Sequence, residues 1–447
     1  MALVVDRLRQ DAIAIYAAGV AAVEPRRALA RALATTPPPP RVSLIAVGKA
    51  AAAMAAEAVA HLAALDVPLV GGVVVSPDPA DAVDGRLCQV VGGHPLPDHR
   101  SAEAADAVAA AARRVGVREE VWVLLSGGAT SLIGAPASGV SEDHYRRLIE
   151  VVGRLGLPIA ELNQIRKRFS RWGGGRLLAA LPAAPVRVFA LSDVIGDDPA
   201  DIGSGPCEPD PTTAGEVRDR LTALRLDLQL PPLLFDWLDR VARGDLPETP
   251  KPFDPIFNRR TTRIIASNAT AISHAAGHAR SLSYQVELVP EPIRGDAAPA
   301  GATFAAGLIA RATSGAFAWI GGGETTVRLE PGSGTGGRCQ EFALAAAATL
   351  GTIAPGTDAV ILAAGTDGRD GPTDAAGAVV DQHTLEALRH RGVDPGTALA
   401  QHNAYSALDA VGRLLKTGLS GTNAMDLMIG LATRAENVPL ATGSPGQ

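Results

Sequence analysis

At 447 residues the chain is too long for one ordinary core, so two domains are expected. Hydrophobic residues make up 47% and aromatics only 4%, which leaves Ala, Val, Leu and Ile to build an interior of helices over parallel strands rather than an all-β sandwich. The formal net charge of −6 gives no electrostatic ground for nucleic acid or an anionic membrane as partner; an anionic ligand has to be held by a local site.

The chain opens with an apolar stretch at Ala12 to Val23, preceded by Asp6 and Asp11 and followed by Glu24, which predicts a buried first helix rather than a signal peptide. After the Pro37–Pro40 run, Val42 to Val47 read as a strand and Lys49 to Leu62 as a helix. "LVGGVVVSP" is a second strand, Ser101 to Arg114 a second helix and "EEVWVLLSGGATS" a third strand opening into a loop. Helices follow through "EDHYRRLIEVVGRL" and "IAELNQIRKRFSRW", then a strand in "VRVFALSDVIGDD". Strand alternating with helix is the mark of a doubly wound parallel sheet. The pattern breaks where prolines and charges gather near Leu246–Asn258, read as a linker. Beyond it come strand "TTRIIASN", helix "ATAISHAAGHARSL", strand "YQVELVP", a helix near "ATFAAGLIARA", strands "AFAWIGGGETTVRL" and "DAVILAAGTDG", and a final helical region. Two α/β domains are expected, 1–250 and 251–447, with a cleft between them. No run of about 18 apolar residues is present to span a bilayer. Cys88, Cys207 and Cys339 lack CxxC spacing and fit a reducing compartment, so a cytoplasmic location is expected.

Ligands of open parallel sheets bind beyond the carboxyl ends of the strands. Those positions read "GKA" at 48–50, "SGGATS" at 126–131, "SDVIGDD" at 192–198, "GGGET" at 321–325 and "GTDGRDGPTD" at 365–374. Glycines there let backbone N–H groups approach a ligand, which nominates Ser126, Gly127, Gly128, Ser131, Gly322, Gly323 and Gly337 as nucleotide-binding residues. Lys49 and Arg338 each stand at a helix start, an electrostatically poor place for a cation. Each therefore implies an anion nearby, and Arg338 should share it with bare N–H groups of its helix. Asp193, Glu324 and Asp367 follow or end strands and supply what phosphoryl transfer needs besides cations: Mg²⁺ ligands and a base near a hydroxyl. Asp193 and Asp367 are the candidates for orienting that hydroxyl. Asp197, Asp198 and Asp201 read as turn residues; His94, between glycine and proline, is placed to touch a substrate but reads first as the brace of a turn. Walker A, protein-kinase and GxSxG signatures are absent, no GxGxxG follows the first strand, and no CxxC occurs. The residues thus favour phosphotransfer in a polyanion site.

"VGKA", "GGHPLPD", "LSGGATS", "LNQIRKRFSRWGGGRL", "LSDVIGDDPADIGSGPCEPDPTT", "SNATA", "GGGETTV", "GTGGRCQEFALA", "GTDGRDGPTDAAGAVVD" and "TGLSGTNAMDL" resemble, in order and over nearly the whole chain, the glycerate 2-kinases with a C-terminal MOFRL domain. The resemblance implies a Rossmann-like N-terminal domain, a smaller α/β MOFRL domain and an active site in the cleft between them. It also implies ATP-dependent, Mg²⁺-assisted phosphorylation of D-glycerate to 2-phosphoglycerate, with Lys49 and Arg338 as the catalytic lysine and arginine. Implied partners are a hydroxy acid and a nucleotide, with a homodimer left open. The family usually reads SGGGSA where Ala129, Thr130 and Ser131 stand, lysine at Gly173 and asparagine at Cys339. Extra bulk in the glycine loop would shift a phosphate, and the lost lysine removes a charge. Relatives often carry the name hydroxypyruvate reductase. A reductase and a non-catalytic sugar-acid or nucleotide binder are the alternatives. On the kinase reading, Arg338→Ala should remove most turnover and leave the fold intact.

Overall fold

The computed structural model describes residues 2–157 and 159–434. They form two compact units. One comprises 24–267 with 421–423; the other comprises 2–23, 268–420 and 424–434.

The first of these units holds β1 (Val42–Val47), β2 (Leu69–Ser76), β3 (Leu87–Val91), β4 (Glu120–Leu125), β5 (Val186–Leu191) and β6 (Arg260–Ala266). They lie in the order β3-β2-β1-β4-β5-β6, every pair parallel. All residues of β1 and β4 are buried, the pattern of strands covered by helices on both faces. Ile45, Val47, Val123 and Leu125 pack with Ala104, Ala105 and Val108 of the helix His99–Arg114, which Asp98 and Ser101 start as a capping box. A separate helical core gathers Tyr145, Leu148, Phe169, Trp237 and Leu238. Beside it the fully buried Arg168 donates to Asp210 at 3.0 Å and Glu248 at 2.6 Å. The stretch read as a linker runs through the turn Pro255–Arg259 straight into β6, which extends the same sheet. The division therefore falls after Ser267 rather than after residue 250, because Arg260–Ala266 hydrogen-bond to β5. The short strand β3 lacked a sequence signal, since "LCQVV" is only partly buried.

The other unit holds β7 (Gln285–Leu288), β8 (Ile293–Asp296), β9 (Gly315–Thr326), β10 (Thr357–Gly365), β11 (Gly377–Asp381), β12 (Leu414–Leu415) and β13 (Asp426–Arg434). The order is β12-β11-β10-β13-β9-β7, with β8 also beside β9. β7 and β8 run parallel to β9, and the remaining pairs are antiparallel. The expected final helical region is thus corrected. Its apolar "DLMIGLATR" is the central strand β13, and only short helices surround it. Met428 and Ala432 pack with Phe304 and Phe342 from the helices Ala297–Arg311 and Arg338–Leu350. Leu427 points to the opposite face and meets Gly19 of the first helix, Ala2–Ala22. The first helix is buried through Ala12, Ile15 and Tyr16, as its flanks predict, but it belongs to this unit. Among the described residues no helix is long and apolar enough to cross a membrane.

Gly301 allows the two helices behind Met428 to touch, because a Cβ there would overlap the Phe342 carbonyl oxygen. Gly301→Ala is expected to lose about 2 kcal/mol in urea denaturation; a parent-like midpoint would show that the helices separate freely.

Candidate functional site

In the parallel sheet the strand order reverses between β1 and β4, the point at which doubly wound folds bind ligands. Gly48, after β1, has φ +136°, and a Cβ there would overlap Ser126 Oγ after β4. The two loops are tied together: Lys49 N–H donates to the Gly127 carbonyl at 3.0 Å, and Ala50 N–H donates to Ser126 Oγ at 3.0 Å. Ser126 therefore fastens the loop. Gly128, at φ +86°, leaves room for His94, whose Cδ2 would be 3.0 Å from an added Cβ. Gly127 likewise faces the Asp193 carboxylate, where a side chain would collide. Lys49, His94, Gly127, Gly128 and Asp193 are thus brought together. Lys49 is exposed and its ammonium group makes no ion pair or hydrogen bond among the described residues. The N–H groups of Gly127 and Gly128 have no acceptor there either. Burial raises the Asp193 carboxyl above its ordinary value, with the Lys49 charge opposing. Burial, then Lys49, lowers His94, which keeps its imidazole neutral. Sequence reasoning favoured a bracing role for His94 over contact with a substrate.

The remaining residues of the loop are tied to a neighbouring turn. Thr130 Oγ1 is 2.9 Å from Ser204 Oγ, Ser131 Oγ is 3.5 Å from the Gly128 carbonyl, and Gly203 passes close to Ala129. Asp198 caps its own turn through Ala200 N–H, as expected, and Asp201 faces Lys167 at 3.6 Å. Gly173 is crowded by Lys167 Cα and the Ser204 carbonyl, each 3.2 Å from an added Cβ.

The other unit treats its cation differently. Arg338 begins the helix Arg338–Leu350. Its Nε and Nη2 donate to the two oxygens of Asp426 at 2.6 and 2.9 Å, and Nη1 meets Glu324 at 2.7 Å. The anion demanded by a cation at a helix start is the protein's own. The expected bare N–H groups are also taken: Cys339 and Gln340 donate to Asp370 at 3.1 and 2.8 Å. Gly337 is glycine because the Asp370 carboxylate occupies the space of a side chain. Gly322 and Gly323 have close neighbours of their own. They lie inside β9, paired with Leu427 and Asp426, where side chains would collide with Asn268 and Ile293. Asp367 Oδ1 accepts the Arg369 N–H at 3.0 Å. Burial pushes the Cys339 thiol well up, so it stays protonated.

No group of three or more His, Cys, Asp or Glu placed to hold a metal ion occurs among the described residues, and Glu324 is committed to Arg338. Asp193 and Asp367 make no ion pair among those residues. One or two carboxylates plus substrate phosphates are the usual Mg²⁺ environment, and each of these carboxylates is of that kind.

Residues 11–239 match a family described as a domain of unknown function, DUF4147, and residues 317–426 match the MOFRL family. The chain is 35% identical over 438 residues to a D-glycerate 2-kinase of Thermotoga maritima, covering 95% of this chain and 99% of the relative. It is 33% identical over 399 residues to a glycerate 2-kinase of Pyrococcus horikoshii, covering 88% of each. A crystal structure of a glycerate kinase from T. maritima superposes with a TM-score of 0.82 at 33% identity, over 95% of this chain and 99% of that one.

The chain belongs to the glycerate 2-kinase family.

Some relatives of this family carry another name: a putative hydroxypyruvate reductase of Agrobacterium vitis is 35% identical over 394 residues, covering 87% of this chain and 98% of the relative. The MOFRL match ends at Asp426, which the family motifs "TNAMDL" and "GTDGRDG" contained, with Asp370, without marking either as part of the site. Neither carries a signal in sequence, because what distinguishes them is complete burial opposite a cation or a helix end.

Two predictions follow from the carboxylates. Removing Arg338 alone leaves Asp426 buried and unpaired, so Arg338→Ala is expected to cost about 3 kcal/mol in urea, and adding Asp426→Asn should return part of it. This replaces the expectation that Arg338→Ala spares the fold; equal stabilities of all three proteins would contradict it. Burial raises the Asp370 carboxyl to about 7, while in the unfolded chain it titrates near ~3.9. The folded state thus keeps a proton that the unfolded state has released, and stability falls as pH rises through that window, then levels. Relative to Asp370→Asn, the parent should weaken between about pH 4 and 7 and stay constant above; a pH-independent difference would contradict this.

Proposed function

We propose that the chain transfers the γ-phosphoryl group of ATP to the 2-hydroxyl of D-glycerate, giving 2-phosphoglycerate and ADP: a phosphotransferase with an alcohol acceptor. The observation that carries the reading is the unpaired Lys49 ammonium beside the bare N–H groups of Gly127 and Gly128, at the switch point of a six-stranded parallel sheet. Such a place offers fixed positive charge and donors to phosphate oxygens. The loop after β1 reads "GKA" and lacks GxGxxG, which favours a kinase over a reductase.

In the reaction the 2-hydroxyl oxygen bonds to the γ-phosphorus while the bond to the β,γ-bridging oxygen breaks, and ADP leaves with that electron pair. Asp193 orients the hydroxyl and receives its proton, a role for which its raised carboxyl is suited. Lys49 and the two N–H groups hold the phosphoryl oxygens, and Arg338 neutralises charge that develops on them. Ser126 holds the glycine loop in place, and Ser131 lies at its end. Asp367, or Asp193 where it does not serve as the base, would hold Mg²⁺, which would supply charge neutralisation on the nucleotide; Glu324 would do so only by leaving Arg338. Three cysteines without partners and an ATP-dependent reaction fit the cytoplasm.

The test is to incubate the protein with ATP, Mg²⁺ and D-glycerate and to read the product by phosphorus NMR. 2-Phosphoglycerate is expected; oxidation of a reduced pyridine nucleotide by hydroxypyruvate without ATP would replace the reading with a reductase. Lys49→Ala should lower kcat by about 10³-fold and, since the Lys49 ammonium bonds to nothing among the described residues, leave stability within about 0.5 kcal/mol. Turnover within about tenfold of the parent would remove Lys49 from the mechanism.

A further inference from the structure

On the kinase reading Arg338 carries a charge that the phosphoryl group needs, yet it stands where its own helix repels it. Its guanidinium has five N–H groups. The Nε and one Nη2 N–H form a two-point fork on Asp426, and one Nη1 N–H serves Glu324. The other two have no acceptor among the described residues.

Asp426 is held much more firmly than the arginine. It is fully buried and is the first residue of β13, paired with Gly323 of β9 on one side and Gly365 of β10 on the other. Its carbonyl accepts Asn268 Nδ2 at 2.9 Å. The glycines at 322 and 323 are needed for this close packing. Glu324, in contrast, is exposed by 43% of its side chain, so its contact with Nη1 is exchangeable.

We infer that Asp426 is a positioning residue of the kinase reaction, whose buried carboxylate fixes the plane of Arg338 so that the two unused N–H groups meet the transferring phosphoryl oxygens. A planar two-point contact sets orientation as well as distance, which a single point charge does not. The inference rests on the kinase reading above. Asp426 touches no substrate in this scheme; it acts through Arg338 alone.

The test is steady-state kinetics of Asp426→Asn with ATP and D-glycerate, in protein checked for an intact thermal transition. The amide keeps the shape but turns one acceptor into a donor, which breaks the fork. Misplacing a charge by about 1 Å costs roughly 100-fold in rate, so kcat should fall about 100-fold with each KM within about threefold of the parent. In an Arg338→Ala background the same change should cost less than about threefold more, because the group it positions is gone. Asp426→Asn turnover within about threefold of the parent, a loss confined to KM, or full additivity with Arg338→Ala would each overturn the inference while leaving the kinase reading standing. A parent chain that phosphorylates no D-glycerate overturns both. Should Asp426→Asn not fold, Arg338→Lys replaces it, since it keeps both charges of the pair but not the fork: reduced kcat at unchanged KM supports the inference, and parent-like kcat overturns it.

Discussion

A cation at the first turn of a helix, beside buried backbone, persists only where an anion compensates it. Around Arg338 that compensation is internal: Asp426 takes one edge of the guanidinium, Glu324 one of its ends, and Asp370 takes the N–H groups that follow. The helix, the loop from Gly334 to Gly337 and the ends of β9, β10 and β13 all converge on these carboxylates. Two glycines of that unit follow from the same packing, because the space a side chain would need at Gly337 is filled by the Asp370 carboxylate and at Gly322 by Asn268 and the Asp426 backbone.

The parallel sheet shows the opposite solution. Lys49 has no carboxylate within ion-pairing distance among the described residues, and Asp193 beside it makes its influence felt only through space. Bare N–H groups at Gly127 and Gly128 remain next to that charge. A fold does not leave a lysine, two amide donors and a half-desolvated carboxylate together for stability, since each would be better solvated apart. Of the two cationic places, this is the one whose anion must come from outside.

The parallel half of the fold was legible because its strands are unbroken apolar runs. Val42–Val47 is read to the residue, and the loops beyond β1, β4 and β5 supplied Lys49, Gly127, Gly128 and Asp193, which the structure gathers. Where the reading departed, tertiary pairing overruled local pattern. Gly321 to Gly323 look like a turn after a strand, yet two neighbouring strands hydrogen-bond across them. Arg260–Ala266 follow a proline-rich stretch that resembles a boundary, yet they complete the first sheet. "DLMIGLATR" fits either a buried strand or a buried helix by composition, and only its antiparallel partners on both sides decide. Asp370 and Asp426 were invisible for a related reason: a carboxylate's burial depends on what folds over it.

The same contrast explains why a shared sequence logic, a basic residue opening an alanine-rich helix, leads to different chemistry at Lys49 and at Arg338. A lysine is a mobile point charge, suited to following a phosphoryl group as it changes partners, and it needs freedom from protein anions to do so. An arginine offers two faces: one edge can be spent on a buried carboxylate while the other remains available, so neutralisation and orientation are obtained from one side chain. The cost is a buried Asp426 that is harmful without its partner, and the benefit is a guanidinium whose plane is set by the central strand of a sheet rather than by the loop that carries it. On the proposed mechanism a substitution at Arg338 would therefore act on folding and on chemistry at once, whereas one at Lys49 would act on chemistry alone.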